Sequence, residues 1–134
     1  MSSVVADTHT IAWFLENPVK LSAAAELALT NAAADSNDKI FVSAISIVEI
    51  QYLIEKARIS SSVLISLLSE LKNLQTTIEI VPVDYAVAVN ITQISRADIA
   101  DMPDRIIAVT ALLLQLPLIT ADKAIRSSGL SVIW

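Results

Sequence analysis

At 134 residues the chain has the length of one domain and enough material to bury a continuous apolar core, so a single domain over 1–134 without a linker is expected. The absence of cysteine and the presence of one histidine, His9, exclude a disulfide framework, a thiolate metal site and a multi-histidine zinc site, which leaves oxygen to hold any metal. The formal charge of -5 argues against broad nonspecific attraction to nucleic acid, but a local basic rim can still grip phosphates, so overall charge does not decide the substrate.

In chain order, Met1 to Ala6 carries no basic residue and no long apolar run before the acid Asp7, so a secretory leader is not expected and a cytoplasmic location is. Ser3–Ala6 reads as a first strand, with Asp7 directly after it and a helix over Thr8–Glu16. A second helix spans Ser22–Ala34 with Ser22 as its N-cap, and a second strand covers Ile40–Val42. The helix Ala44–Ala57 follows and places Glu49 in its second turn, about 8 Å from its start. Ser62–Leu74 reads as a helix, Ile78–Val81 as a strand, and Tyr85–Ser95 as a helix capped by Asp84. Asp101-Met102-Pro103-Asp104 has the look of a helix start and leads into Arg105–Gln115. Leu116-Pro117 breaks the chain before a strand at Leu118–Thr120, and Gly129 breaks it again before Ser131–Ile133. The apolar run from Ile106 to Ile119 is interrupted by Thr110, Gln115 and Pro117 and falls short of the roughly 18 residues of a membrane span.

Strands alternating with helices predict an α/β fold with a parallel sheet. Asp7 and Asp122 then lie at strand carboxyl ends, which share one edge. The helix feeding the strand at Leu118 must begin at that edge, bringing Asp104 there, and Glu49 sits one turn into the helix leaving the second strand. These four acids are thus expected to converge where open α/β sheets bind ligands. Each has an ordinary role as well: Asp7 and Asp122 suit N-caps, Asp104 suits a first turn, and Glu49 lies near Lys56 on its helix. The convergence is what points to function, because gathered carboxylates repel one another unless a cation joins them. Magnesium or manganese suits an all-oxygen site with positions left for water and phosphate, and phosphodiester hydrolysis is the chemistry such a site performs. Thr8 and Thr120, next to the acids, are candidates to orient ligands or water.

Val4-Val5-Ala6-Asp7-Thr8-His9-Thr10, Ser46-Ile47-Val48-Glu49-Ile50, Asp101-Met102-Pro103-Asp104-Arg105-Ile106-Ile107-Ala108-Val109-Thr110-Ala111 and Leu118-Ile119-Thr120-Ala121-Asp122-Lys123-Ala124-Ile125 together resemble the PIN-domain family, in particular the VapC-type toxins of bacterial toxin–antitoxin pairs. The resemblance runs over nearly the whole chain, and its two C-terminal blocks are the specific part. It implies a three-layer α/β/α fold around a five-stranded parallel sheet. It further implies that Asp7, Glu49, Asp104 and Asp122 bind magnesium or manganese and cleave RNA, with Asp101 as an accessory acid. A sequence-selective endoribonuclease, restrained by a small antitoxin and often dimeric, is the activity implied. The chain departs from a nucleic-acid binder in its acidity, which leaves Arg96, Arg105, Lys123 and Arg126 as candidates for phosphate contact.

Other acid-bearing folds fit less well. A haloacid-dehalogenase-like phosphatase needs an aspartate where His9 stands, and a receiver domain needs one after the third strand, which ends in Val81-Pro82-Val83. The non-enzymatic alternative is an inactive PIN-like interaction module. A hydrophobic fraction of 54% and a mean hydropathy of +0.64 predict apolar surface covered by another chain. Val63, Leu64, Leu67, Leu68, Leu71 and Leu74, with the helix Ala44–Ala57, are its expected source. Trp13, Phe14 and Tyr52 are candidates for base stacking, or for core and interface.

Overall fold

A computed structural model describes residues 2–134, so that Met1, counted in the expected domain, lies outside the described residues. Five strands, β1 (Val4–Ala6), β2 (Ile40–Ser43), β3 (Ile78–Val81), β4 (Leu118–Ile119) and β5 (Val132–Ile133), form one sheet in the order β3-β2-β1-β4-β5. Every neighbouring pair is parallel, with Val5 opposite both Phe41 and Leu118.

The helices are α1 (Thr8–Glu16), α2 (Ala23–Ala34), α3 (Ala44–Glu55), α4 (Ser62–Lys72), α5 (Tyr85–Val89), α6 (Met102–Leu114) and α7 (Lys123–Arg126). Short 3-10 turns lie at Pro18–Lys20 and Ile91–Gln93. The period of two along each strand sorts the apolar residues onto two faces. Val4, Ala6, Ile40, Val42 and Ile119 pack with α1, α2 and α4, whereas Val5, Phe41, Leu118 and Val132 pack with α6 and the segments around it. The result is the expected three-layer α/β/α arrangement with a core on each side of the sheet. No helix among the described residues is long and apolar enough to cross a membrane.

Three expectations are corrected. The helix expected over Tyr85–Ser95 stops at Val89, because the Asn90 side chain donates to the Ala86 carbonyl and the chain tightens into a 3-10 turn. α6 starts at Met102 rather than Arg105, since Asp101 caps it and Pro103, lacking an N–H, fits a first turn whose N–H groups are unpaired anyway. On α4, Val63 and Leu67 are buried and Leu64 and Leu71 pack on the core, so only Ile65 and Leu68, with Leu74 beyond its end, stay exposed.

Two helices end in left-handed residues without glycine. Ala57 has φ 55° after α3 and Gln115 has φ 56° after α6, each in a turn that returns N–H groups to the last carbonyls.

Candidate metal centre

The chain order reverses between β1 and β4, since β2 and β3 are added on one side of β1 and β4 and β5 on the other. A crevice opens outside the carboxyl ends at such a switch point. Here it is a cleft of about 450 Å³ lined by Asp7, Thr8, His9, Trp13, Glu49, Asp101, Asp104, Ala121 and Asp122.

Asp7 is 7% exposed and caps α1, its Oδ1 accepting the Thr10 N–H at 3.0 Å. Its Oδ2 accepts the hydroxyl of Thr120, which is buried and in turn accepts the Asp122 N–H at 3.0 Å. Asp122 caps α7 through Oδ1, taking the Ile125 N–H at 3.0 Å. One threonine thus ties the acids that follow β1 and β4.

Across the cleft Glu49 accepts the Thr8 hydroxyl at 2.6 Å instead of pairing with Lys56. The Ser46 hydroxyl lies 2.9 Å from the same Thr8 oxygen and is fully buried. Thr8 has one proton and it serves Glu49, so Ser46 donates to Thr8. Sequence reasoning missed Ser46, although it stands three positions before Glu49 and therefore on the same helix face.

Asp101 caps α6 by accepting the Asp104 N–H at 3.2 Å, which sets both carboxylates at the start of one helix. Carboxylate oxygens of Glu49, Asp101 and Asp104 lie within 4.8 Å of one another. Burial, then the charges of Asp101, Asp122, Glu49 and Asp7, push the Asp104 carboxyl up to about 7. Burial also raises Glu49, with Asp101 and Asp7 adding to it and the Thr8 hydrogen bond and His9 opposing it. Both shifts follow from negative charge gathered in a partly buried cleft. Hard oxygen donors at this spacing fit a small divalent cation that keeps some of its water.

The four acids of the expected site and Asp101 therefore share one cleft, and Thr8 and Thr120 each hold one of them. The basic residues do not join them. Arg105 takes a structural role: its Nε and one terminal nitrogen donate to the Ile94 carbonyl at 3.1 and 2.7 Å, and the same terminal nitrogen to the Ile91 carbonyl at 3.2 Å, bracing the preceding segment against α6. Arg96, Lys123 and Arg126 are exposed and do not line the cleft.

A parallel α/β/α sheet with carboxylates from four chain segments at its switch point defines an acid-cleft protein of PIN-like fold. The PIN-domain profile matches residues 4–128. Ribonuclease VapC22 of Mycobacterium tuberculosis is 32% identical over 127 residues, covering 95% of this chain and 92% of that protein. The chain belongs to the PIN-domain family. In fold it is similar to a VapBC2 crystal structure from Rickettsia felis bound to a DNA fragment from its promoter, with TM-score 0.68, 17% identity and 96% of each chain covered. It is similar as well to a toxin–antitoxin complex from Klebsiella pneumoniae, with TM-score 0.64, 18% identity, and 98% of this chain and 97% of that one covered.

Proposed function

We propose that this chain is a magnesium- or manganese-dependent endoribonuclease and the toxin of a toxin–antitoxin pair. The observation that carries this reading is the crowding of Glu49, Asp101 and Asp104, with Asp104 pushed up to about 7. A fold that gathers carboxylates this closely calls for a cation. The VapC22 relative, named a ribonuclease, supports RNA as the substrate.

On this reading Asp7, Glu49, Asp104 and Asp122 hold the metal and Asp101 assists. The ion, when bound, polarises the phosphoryl oxygen and makes water a stronger nucleophile. The chain's own groups supply orientation. Thr120 fixes the Asp7 carboxylate and the Asp122 backbone, and Thr8, held by Ser46, fixes Glu49. One Glu49 oxygen accepts the Thr8 hydroxyl, which leaves the other for the proposed cation. Arg96, Lys123 and Arg126, outside the cleft, serve the phosphates of the flanking strand.

Apolar surface supports the partner. Val48 and Tyr52 on α3, Ile65 and Leu68 on α4, and Leu74 beyond it are exposed, a surface suited to a cognate antitoxin or a second copy of this chain. That surface is also the one observation favouring an inactive interaction module. The deciding experiment is cleavage mapping on total cellular RNA with and without manganese, beside a calorimetric manganese titration. Cuts at defined sequences that need the metal are expected. Manganese binding without cuts, or neither, would leave the interaction module as the function.

A further inference from the structure

Among the described residues no lysine or arginine lines the cleft, so contacts other than side-chain ion pairs must help to hold the strand it is proposed to cut. The remaining wall is aromatic. His9 and Trp13 stand four positions apart on α1 and so share a face, and both line the cleft beside the acids. Their ring centroids are 5.6 Å apart with the planes tilted by 46°. Trp13 continues the ladder to Trp134, after β5, at 6.0 Å and 53°. The Lys20 ammonium sits 5.9 Å from the Trp13 ring centroid. Core packing accounts for the inner part of this ladder, because Trp13 and Trp134 lie partly buried on the apolar cluster. It does not account for His9, an exposed ring in the same ladder that faces the cleft.

We propose that this wall is a base-stacking subsite for single-stranded RNA. The nucleobase flanking the scissile phosphate stacks on the His9 and Trp13 rings, and Lys20 leaves the indole for an adjacent phosphate. The proposal rests on the ribonuclease reading above. Stacking suits an acidic cleft because its attraction does not depend on net charge, and every base offers a π-face. The exposed Lys20 ammonium on its flexible four-carbon stem makes only a weak contact with the ring and is free to exchange it.

The test is steady-state cleavage of an oligoribonucleotide and of versions carrying one abasic ribose at each position around the cut, by wild type, His9→Ala, Trp13→Phe, Trp13→Leu and Lys20→Met. One abasic position should raise wild-type KM about tenfold with kcat nearly unchanged, and His9→Ala and Trp13→Leu should do the same on the intact strand. Trp13→Phe should stay close to wild type, and the abasic effect should shrink in His9→Ala, as coupled groups require. If Trp13→Leu fails to fold, His9→Ala and the abasic series still decide. An unchanged KM throughout overturns the proposal. A second readout separates it from the nuclease reading: in a Trp134→Phe background with manganese, adenosine 5′-monophosphate should quench Trp13 fluorescence where ribose 5-phosphate does not. Quenching by a protein that cuts no RNA overturns the nuclease, whereas cutting without quenching or any KM effect overturns the stacking subsite.

Discussion

On the β1–β4 side of the cleft both oxygens of Asp7 accept hydrogen bonds, from the Thr10 N–H and the Thr120 hydroxyl, and Asp122 is tied to the same threonine through its backbone. On the α3–α6 side Asp104 stands close to Asp101 and Glu49, and among the described residues no donor offsets the burial that pushes it up to about 7. The first wall is organised by the protein's own donors. On the proposed reading the second is completed by a cation. Stability and activity should therefore respond differently when each side is altered.

The largest effect is expected from Asp104→Asn, which removes a proposed metal ligand from the crowded side. Its RNA cleavage in saturating manganese should fall by about three orders of magnitude or more while far-UV circular dichroism is unchanged. Near-wild-type turnover in a preparation free of wild type would break the comparison, since Asp104 would then be an ordinary first-turn acid. Thr120→Val tests the other wall. It leaves buried Asp7 short of a donor and the Asp122 N–H without its acceptor, at a cost of about 1–3 kcal/mol. Urea unfolding in chelator should register that loss, and a midpoint equal to wild type would mean that this wall is not held by its hydrogen bonds.

A smaller effect with a defined sign concerns pH. Asp104 is raised to about 7 in the fold against about 3.9 in the unfolded chain, so the native state binds more protons between these values. The stability it contributes is fully present below about pH 4 and is lost as pH rises through about 7. Metal-free Asp104→Asn escapes that loss. It should be more stable than metal-free wild type at pH 8 by on the order of 1 kcal/mol after solvent screening, and the gap should close toward pH 4. Millimolar manganese should reverse the order at pH 8, because mass action favours the protein with the full ligand set. Melting curves of both proteins in chelator and in manganese test this, and a wild type indifferent to manganese would count against it. The smallest effect is Lys123→Ala, which should weaken RNA binding about threefold at low salt and hardly at all at high salt, as for an exposed phosphate contact.

Much of this was legible in the sequence because it rests on local or periodic signals. β-branched runs marked the strands, and Ser22 and Asp84 announced the helices they cap. Asp7 and Asp122 could be placed because a parallel sheet brings strand ends to one edge. What escaped depends on contacts distant in sequence. The carbonyls of Ile91 and Ile94 accept from Arg105 in the folded chain, a brace from another helix that adds to the local Asn90 contact and that nothing around Tyr85 records. The same bonds give Arg105 a bracing role that its place in the sequence does not announce. Asp101 was placed as an accessory acid, but its part in the close carboxylate trio depends on Glu49, on another helix, reaching the same point.

Asp7, Asp101 and Asp122 each cap a helix as well as line the cleft. Asparagine caps a helix about as well as aspartate, and in the genetic code the two are one base apart. On the proposed reading, a lineage harmed by this chain has a short mutational route to a silent one: a single transition at any of these codons yields a folded protein with a damaged cleft. Such a chain would keep its outer surfaces and go on occupying its partner. Disarmed copies should therefore be common among genomes carrying this gene, and they should be recognisable by intact apolar positions around an asparagine where one of these acids stood.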